Sequence, residues 1–230
     1  MAVAVVAAVV AAAADLSLIA YGDVVAGCEQ CALSQTRTQV VFGSGSPTAE
    51  LMFVGEAPGF HEDKQGVPFV GAAGKLLGKL LEGIGMSRDD VYVANVIKCR
   101  PPGNRDPLPG EIQACEGHLF RQIELVQPTL VATLGNFATK LLSGKPTGIT
   151  QVHGREQQVV LGGNPVTLYP IFHPAAALYT PRMLQVLEED FRRIPELLGR
   201  EAAPPPPPPA PLYVPEPAAE PEHSVQLGLF

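Results

Sequence analysis

Residues 51–59, Leu51-Met-Phe-Val-Gly-Glu-Ala-Pro-Gly59, join a short apolar run to a turn rich in Gly and Pro. Five apolar residues that end in Gly are typical of a buried β-strand. Apolar runs and amphipathic segments then alternate along the chain. The predicted strands are 51–55, 91–97, 129–134 and 166–172, and the predicted helices are 15–26, 71–85, 109–126, 136–142 and 180–198.

This alternation predicts the fold class, because parallel strands need crossover helices that cover both faces of their sheet. We expect an α/β protein, a three-layer αβα sandwich around a mainly parallel four-stranded sheet. Residues 156–161 could form a hairpin with the fourth strand.

Polar side chains follow the predicted strands. Glu56 comes directly after the first strand, Asn95 lies near the end of the second, and His173 follows the fourth. Because the carboxyl ends of parallel strands meet at one edge of a sheet, we expect these side chains to converge there. A carboxylate, an amide and an imidazole at one edge predict a catalytic or binding site.

The four cysteines of the chain are spaced as Cys28-x2-Cys31 and Cys99-x15-Cys115. Two ligands from one tight turn and two from a distant segment can close a four-thiolate site for Zn²⁺ or for an iron–sulfur cluster. Both metals accept four thiolates, so the spacing leaves the choice between them open. Unrelated buried or free cysteines are the simpler alternative.

The two ends differ in composition from residues 15–199, which we expect to form one domain. Residues 1–14 are all Met, Ala and Val, without the positive charge of a signal peptide and too few to span a bilayer. We expect an appended or mis-started N-terminus and a cytosolic protein. Residues 200–225 are rich in Pro and predict a disordered linker.

Net charge does not decide the function. The chain carries −7, but residues 201–230 hold four of its 23 acidic residues and no Lys or Arg. A basic surface on the rest of the chain is therefore compatible with the composition.

Four stretches resemble, in the same order, the motifs of family 4 uracil-DNA glycosylases, the iron–sulfur members of the uracil-DNA glycosylase superfamily. These stretches are Gly55–Asp63 (GEAPGFHED), Pro68–Gly71 (PFVG), Asn95–Pro102 (NVIKCRPP) and His173–Ala176 (HPAA). The resemblance covers roughly residues 15–199. It implies that fold, a [4Fe–4S] cluster in preference to zinc, and hydrolytic removal of uracil from single- or double-stranded DNA in base excision repair.

The expected chemistry gives several side chains a role. Such enzymes read a base that is flipped out of the DNA stack. An amide such as Asn95 offers both a donor and an acceptor to the uracil edge, and cytosine presents the reverse pattern. His173 would donate a hydrogen bond to O2 of the leaving uracil, with help from backbone amides of the 55–59 turn. Phe69 is the expected stacking platform.

The resemblance also implies roles around the first motif. Gly55 and Glu56 belong to the uracil pocket, and we expect Glu56 to position the attacking water. Ala57 stands where family 1 enzymes carry a catalytic aspartate. Gly59 stands where those enzymes use a tyrosine to exclude thymine, and the resemblance suggests that Glu62 blocks the thymine methyl group here.

Contacts with DNA are predicted on both sides of these motifs. Leu178 is the expected apolar wedge in the duplex. Arg105 and Arg182 are candidate phosphate contacts, together with Lys98 and Arg100.

The last five residues, Gln226-Leu-Gly-Leu-Phe230, resemble the short motif by which bacterial repair proteins bind the DNA polymerase sliding clamp. Leu227, Leu229 and Phe230 would enter an apolar groove, and Gln226 would fix their position. The motif implies a bacterial, nucleoid-associated protein in the cytoplasm, and we expect a monomer.

Two other functions remain open from the sequence. A DNA-binding module tethered to the clamp could share the fold and the cluster without catalysis. A covalent uracil-DNA trap is disfavoured because residues 101–111 contain no His.

Overall fold

The computed structural model describes residues 17–200. Its strands are β1 (Ser44–Gly45), β2 (Leu51–Gly55), β3 (Val91–Asn95), β4 (Leu130–Leu134), β5 (Gln157–Leu161) and β6 (Asn164–Ile171). Its helices are α1 (17–26), α2 (Phe60–Gln65), α3 (Ala72–Glu82), α4 (Pro109–Val126), α5 (Asn136–Ser143), α6 (Ile149–Val152), α7 (Pro181–Arg192) and α8 (Ile194–Leu197). Short 3₁₀ turns cover Ala32–Gln35, Arg88–Asp90, Pro102–Asn104 and Pro174–Ala177.

The sheet has the order β1-β3-β2-β4-β6-β5. The four inner strands are parallel, and β1 and β5 pair antiparallel at the edges. The predicted α/β class is confirmed, and the four predicted strands form the parallel centre. The sheet has two more strands than the predicted four. One edge is β5, which forms the expected hairpin with β6. The other edge is β1, which has only two residues and is too short to show a periodic pattern in the sequence.

Helices cover both faces of this sheet, because the side chains of β2 point alternately into two apolar cores. Met52 and Val54 point into one apolar core, which also holds side chains of α4 and α5. Leu51 and Phe53 point into the other core, with side chains of α3, α7 and α8. Every residue of β2, β3 and β4 is buried, as expected for parallel strands between two helical layers.

The last helix is interrupted, whereas the sequence predicted one helix over 180–198. Regular helix ends at Arg192, and Arg193 separates it from α8. Pro195 explains the break, because it has no N–H to donate to the carbonyl of Phe191.

The predictions for both ends lie outside the described residues. They concern the N-terminal extension at 1–14, the Pro-rich linker, and the clamp-binding residues Gln226, Leu227, Leu229 and Phe230. Within residues 17–200, no helix is both long enough and apolar enough to cross a membrane.

Candidate active site and cysteine cavity

A pocket of about 460 Å³ opens at the carboxyl edge of the parallel strands. The structure brings together there most of the side chains expected at the site, namely Glu56, Glu62, Phe69, Asn95 and His173, with Ala57 and Gly59 beside them. The strands explain this convergence, because Gly55 of β2 pairs with Asn95 of β3, and His173 lies two residues beyond the end of β6.

Asn95 presents a buried acceptor to this pocket. The side chain is 2% exposed, and no donor among the described residues reaches its Oδ1. An unpaired oxygen in such surroundings is costly, typically about 1–3 kcal/mol. A ligand with an N–H group at this position would satisfy it.

His173 is held as a neutral imidazole. Its Nδ1 accepts the backbone N–H of Ala175 at 3.1 Å, which leaves the proton on Nε2. Burial lowers the pKa of His173 to about 4, and the nearby Glu62 opposes that shift only in part. Near neutral pH the ring is therefore an N–H donor without charge.

Phe69 lies against the imidazole. The two rings stack with centroids 5.6 Å apart and an interplanar angle of 28°. Phe69 has a positive φ of 56°, unusual for an aromatic residue. The close approach of Gly74 in α3 fits this conformation, since a Cβ there would lie 1.7 Å from the carbonyl oxygen of Phe69.

Gly55 leaves the space in which these side chains meet. A Cβ at Gly55 would lie 2.4 Å from Oδ1 of Asn95 and 2.6 Å from Cζ of Phe69. Only glycine fits at this residue with both neighbours in place.

The two carboxylates of the first motif have different surroundings. Glu62 accepts the backbone N–H groups of Val70 at 3.0 Å and Gly71 at 2.8 Å, which fixes its position. Glu56 is half-buried, and desolvation together with the nearby Asp106 raises the pKa of its carboxyl. The pocket thus contains one anchored carboxylate and one whose ionisation is opposed.

The four cysteines line a second, small cavity. Cys99 and Cys115 are buried, and all four are free of disulfides. Burial raises the pKa of Cys99 and raises that of Cys115 to about 11. No group of three or more His, Cys, Asp or Glu side chains in residues 17–200 has the spacing of a site for a metal ion.

Polar groups around that cavity point at the sulfurs. The N–H of Lys98 approaches Cys115 Sγ at 3.3 Å, and Arg37 Nη1 approaches Cys99 Sγ at 3.4 Å. His118 Nε2 lies 3.3 Å from Cys28 Sγ. The sequence interpretation missed Arg37 and His118, although His118 follows Cys115 by three residues and so shares its helix face.

Lys98 connects the cavity to the pocket. It was a candidate phosphate contact, and this prediction is wrong because the side chain is 1% exposed. Its ammonium donates to the carbonyl of Asn95 at 2.7 Å and to Oε1 of Gln122 at 2.5 Å. The ammonium is therefore buried beneath the strand end that carries the pocket amide.

The other candidate DNA contacts lie near the pocket or at the surface. Arg105 lines the pocket, and its guanidinium forms a bidentate pair with Glu111 at 2.6 and 2.9 Å. Leu178 is 38% exposed and is followed by Tyr179, which is 90% exposed. Arg182 is exposed in the first turn of α7.

The pocket also contains Ala73 and Asn104, which lie outside the four motifs, and Pro101, which lies in the third motif but was given no role. Asn104 has a positive φ of 54° in the turn after Pro101. Asn is one of the residues that adopt this conformation most readily, so the Pro-Pro-Gly-Asn stretch at 101–104 could have been read as a tight turn.

The sequence profile of the Uracil DNA glycosylase superfamily matches residues 42–195, which include every pocket residue. The chain therefore belongs to the uracil DNA glycosylase superfamily.

Named relatives narrow the class. A type-4 uracil-DNA glycosylase of Sulfurisphaera tokodaii is 49% identical over 178 residues, which cover 75% of this chain and 81% of the relative. That of Archaeoglobus fulgidus is 46% identical over 178 residues, 76% of this chain and 89% of the relative. That of Thermotoga maritima is 42% identical over 177 residues, 76% and 91% of the two chains. Within the superfamily, the chain is thus grouped with the type-4 members.

Proposed function

We propose that the protein is a type-4 uracil-DNA glycosylase, a hydrolase that cleaves the N-glycosidic bond of deoxyuridine in DNA and leaves an abasic site. Its role is base excision repair of deaminated cytosine. The observation that carries this proposal is the buried Oδ1 of Asn95, which has no donor within residues 17–200, in the same pocket as the neutral His173.

Asn95 supplies the recognition of uracil. Its Oδ1 accepts the N3–H of uracil, and its amide N–H group donates to O4. Cytosine carries an acceptor at N3 and donors at its amino group, so both contacts are mismatched. A mismatch of buried polar groups is what gives such sites strong discrimination.

His173 stabilises the leaving group. Negative charge grows on O2 of uracil as the glycosidic bond breaks, and the Nε2–H of His173 donates to this oxygen. Because the ring is neutral and its other nitrogen is held by Ala175, this donor is oriented before the reaction begins. The stacked ring of Phe69 supports the flipped base.

Glu62 and Gly59 fit the exclusion of thymine. A Cβ at Gly59 would lie 2.8 Å from Oε2 of Glu62, so the anchored carboxylate covers this part of the pocket. A carboxylate held by two backbone N–H groups cannot move aside for a methyl group without breaking both bonds.

Glu56 is the proposed base that positions the attacking water, and it predicts the pH dependence of the reaction. As a base, the carboxyl must be ionised to take up a proton from the attacking water, and its pKa is raised. We therefore expect the rate to fall on the acid side with a midpoint above 4.5, the ordinary value of a glutamate. Single-turnover rates between pH 4 and 8 measure this limb.

Glu56→Gln is the control for that profile. It should lower the rate at neutral pH and abolish the limb. An unchanged limb in Glu56→Gln would assign it to another group.

The proposed function is tested with labelled oligonucleotides that carry one uracil, one thymine or one cytosine at the same position. After incubation with the protein as purified, alkali breaks the strand at any abasic site. We expect cleavage at uracil alone. Intact uracil DNA with protein that contains its metal would contradict catalysis and favour the non-catalytic DNA-binding module.

We further propose that Cys28, Cys31, Cys99 and Cys115 hold a [4Fe–4S] cluster. Four thiols lie around one cavity, with N–H groups of Arg37 and Lys98 directed at two of the sulfurs and a ring nitrogen of His118 beside a third, and this arrangement fits a thiolate-bound cluster. The grouping of the chain with the type-4 members, the iron–sulfur branch that its motifs resemble, supports a cluster over zinc. The cluster joins the segment after α1 to α4, and the proposed hydrolysis needs no redox chemistry from it.

Removal of one ligand should remove the cluster. We expect about four iron and four sulfide per chain in the native protein and far less in Cys115→Ser, with a lower melting temperature. Gln113→Ala, an exposed change on the same helix, should retain the metal. One zinc per chain, without sulfide, would contradict the cluster.

The proposed partner is uracil-containing DNA. The exposed Leu178 follows the Pro174–Ala177 turn, next to His173, which supports its role as the wedge beside the pocket. The exposed Arg182 supports a phosphate contact. The paired Arg105 is the weaker candidate, because Glu111 offsets its charge.

A further inference from the structure

We propose that Phe60 and Arg100 form a platform on which the unpaired base next to the uracil stacks. This inference rests on the proposed function and adds to it a preference for single-stranded DNA. It concerns a surface at the pocket rim, outside the groups that contact uracil itself.

Phe60 is an exposed aromatic ring surrounded by cations. It is 49% exposed. The guanidinium carbon of Arg100 lies 5.2 Å from the ring centroid, and Nζ of Lys64 lies 5.9 Å from it. The imidazole of His61 meets the ring edge-on with centroids 5.5 Å apart. A flat apolar surface thus lies beside the cations of Arg100 and Lys64 and the imidazole of His61.

The platform is continuous with the pocket. Gly59 directly precedes Phe60 and lines the pocket, and so does Glu62. On the other side, Nε of Arg100 donates to Oδ1 of Asn104 at 2.6 Å, and Asn104 also lines the pocket. A nucleotide that neighbours a base in the pocket therefore lies within reach of Phe60 and Arg100.

The two carboxylates on the helix of Phe60 are already engaged. Glu62 accepts two backbone N–H groups. Asp63 is buried and accepts the N–H of Thr38 at 2.9 Å. The positive charge of Arg100 and Lys64 is therefore left to face solvent or a ligand.

An exposed aromatic ring beside free cations is typical of proteins that bind single-stranded nucleic acid. Proteins that bind single strands stack bases on aromatic rings and guanidinium planes and attract the phosphates with basic residues. In a duplex the bases beside the flipped uracil stay paired and stacked, so they are less available to the platform. A purely structural ring would be packed, and Phe60 adds nothing to either apolar core.

The test measures binding without cleavage. Fluorescence anisotropy is recorded on a single-stranded oligonucleotide of thymidines with one central 2′-fluoro-2′-deoxyuridine, which resists hydrolysis. We expect Phe60→Ala to raise Kd about 5- to 100-fold. Phe60→Trp should retain the native Kd, and the loss on the matching duplex should be several times smaller. On a cleavable substrate, KM should rise while kcat stays unchanged.

The partner base is identified by removing it. Replacing the 5′ or the 3′ neighbour of the uracil by an abasic analogue should weaken native binding by a similar factor. The same replacement should not raise the Kd of Phe60→Ala any further, since this variant already lacks the stacking contact. Val160→Ala, an exposed apolar change on β5, should bind like the native protein.

Equal binding by Phe60→Ala and the native protein would overturn the platform, as would equal losses on single strands and duplexes. Because the binding assay needs no catalysis, its result tests the platform independently of the proposed glycosylase activity. If the protein leaves uracil DNA intact but shows the Phe60-dependent binding, the platform is supported and the proposed glycosylase activity is contradicted.

Discussion

Changing His173 to alanine should slow the release of uracil from DNA about 100- to 1,000-fold, the usual loss when one donor to a developing anion is removed. The reason is the fixed Nε2–H of a neutral ring, for which water in the enlarged pocket is a poor substitute. Single-turnover rates at saturating protein measure the effect, because they exclude binding and product release. Binding of the fluorinated oligonucleotide should change little.

His173→Gln is the informative partner of this variant. Its amide keeps an N–H donor, so it should recover part of the rate at the same DNA affinity. Both variants should keep their iron content and melting temperature within a few degrees. A loss of less than tenfold in His173→Ala would show that His173 is not the main stabiliser of the leaving group.

Changing Gly55 to alanine should lower the activity by more than 1,000-fold. The added Cβ would overlap Oδ1 of Asn95 and the ring of Phe69, at 2.4 and 2.6 Å, so both must move out of the positions that hold uracil. A displacement of this size at a reacting site has a large effect, since misplacement by about 1 Å can cost a hundredfold. The same oligonucleotide assay measures it.

Gly78→Ala is the matched control. Gly78 lies in α3, and a Cβ there meets no atom within 4 Å. Alanine in a helix interior is favoured over glycine by about 0.5–1 kcal/mol, so this variant should be slightly more stable and fully active. If Gly55→Ala retained more than a tenth of the native activity, the positions of Asn95 and Phe69 would not limit the reaction as proposed.

The part of the site carried by strand ends could be predicted from the sequence. Asn95 lies near the end of one recognisable apolar run and His173 follows another, and parallel strands bring their carboxyl ends to one edge. The same reasoning gave the α/β class and the bounds of α4, where Pro109 marks the first turn.

The rest depends on contacts between distant segments, which periodicity does not encode. A lysine beside a cysteine indicates a surface charge by default, yet Lys98 is buried because Gln122, 24 residues away, accepts from its ammonium. The pairing of Arg105 with Glu111 and the left-handed backbone of Phe69 likewise arise from the assembled loops.

The unpaired oxygen of Asn95 has a consequence for the evolution of this fold. A pocket lined by such an acceptor is a point of local frustration, because the native sequence retains a buried group for which residues 17–200 provide no donor. Selection for stability by itself would replace Asn95 with an apolar residue of similar size. Its presence therefore marks a position where stability and activity are opposed, and where the most stable sequences are inactive.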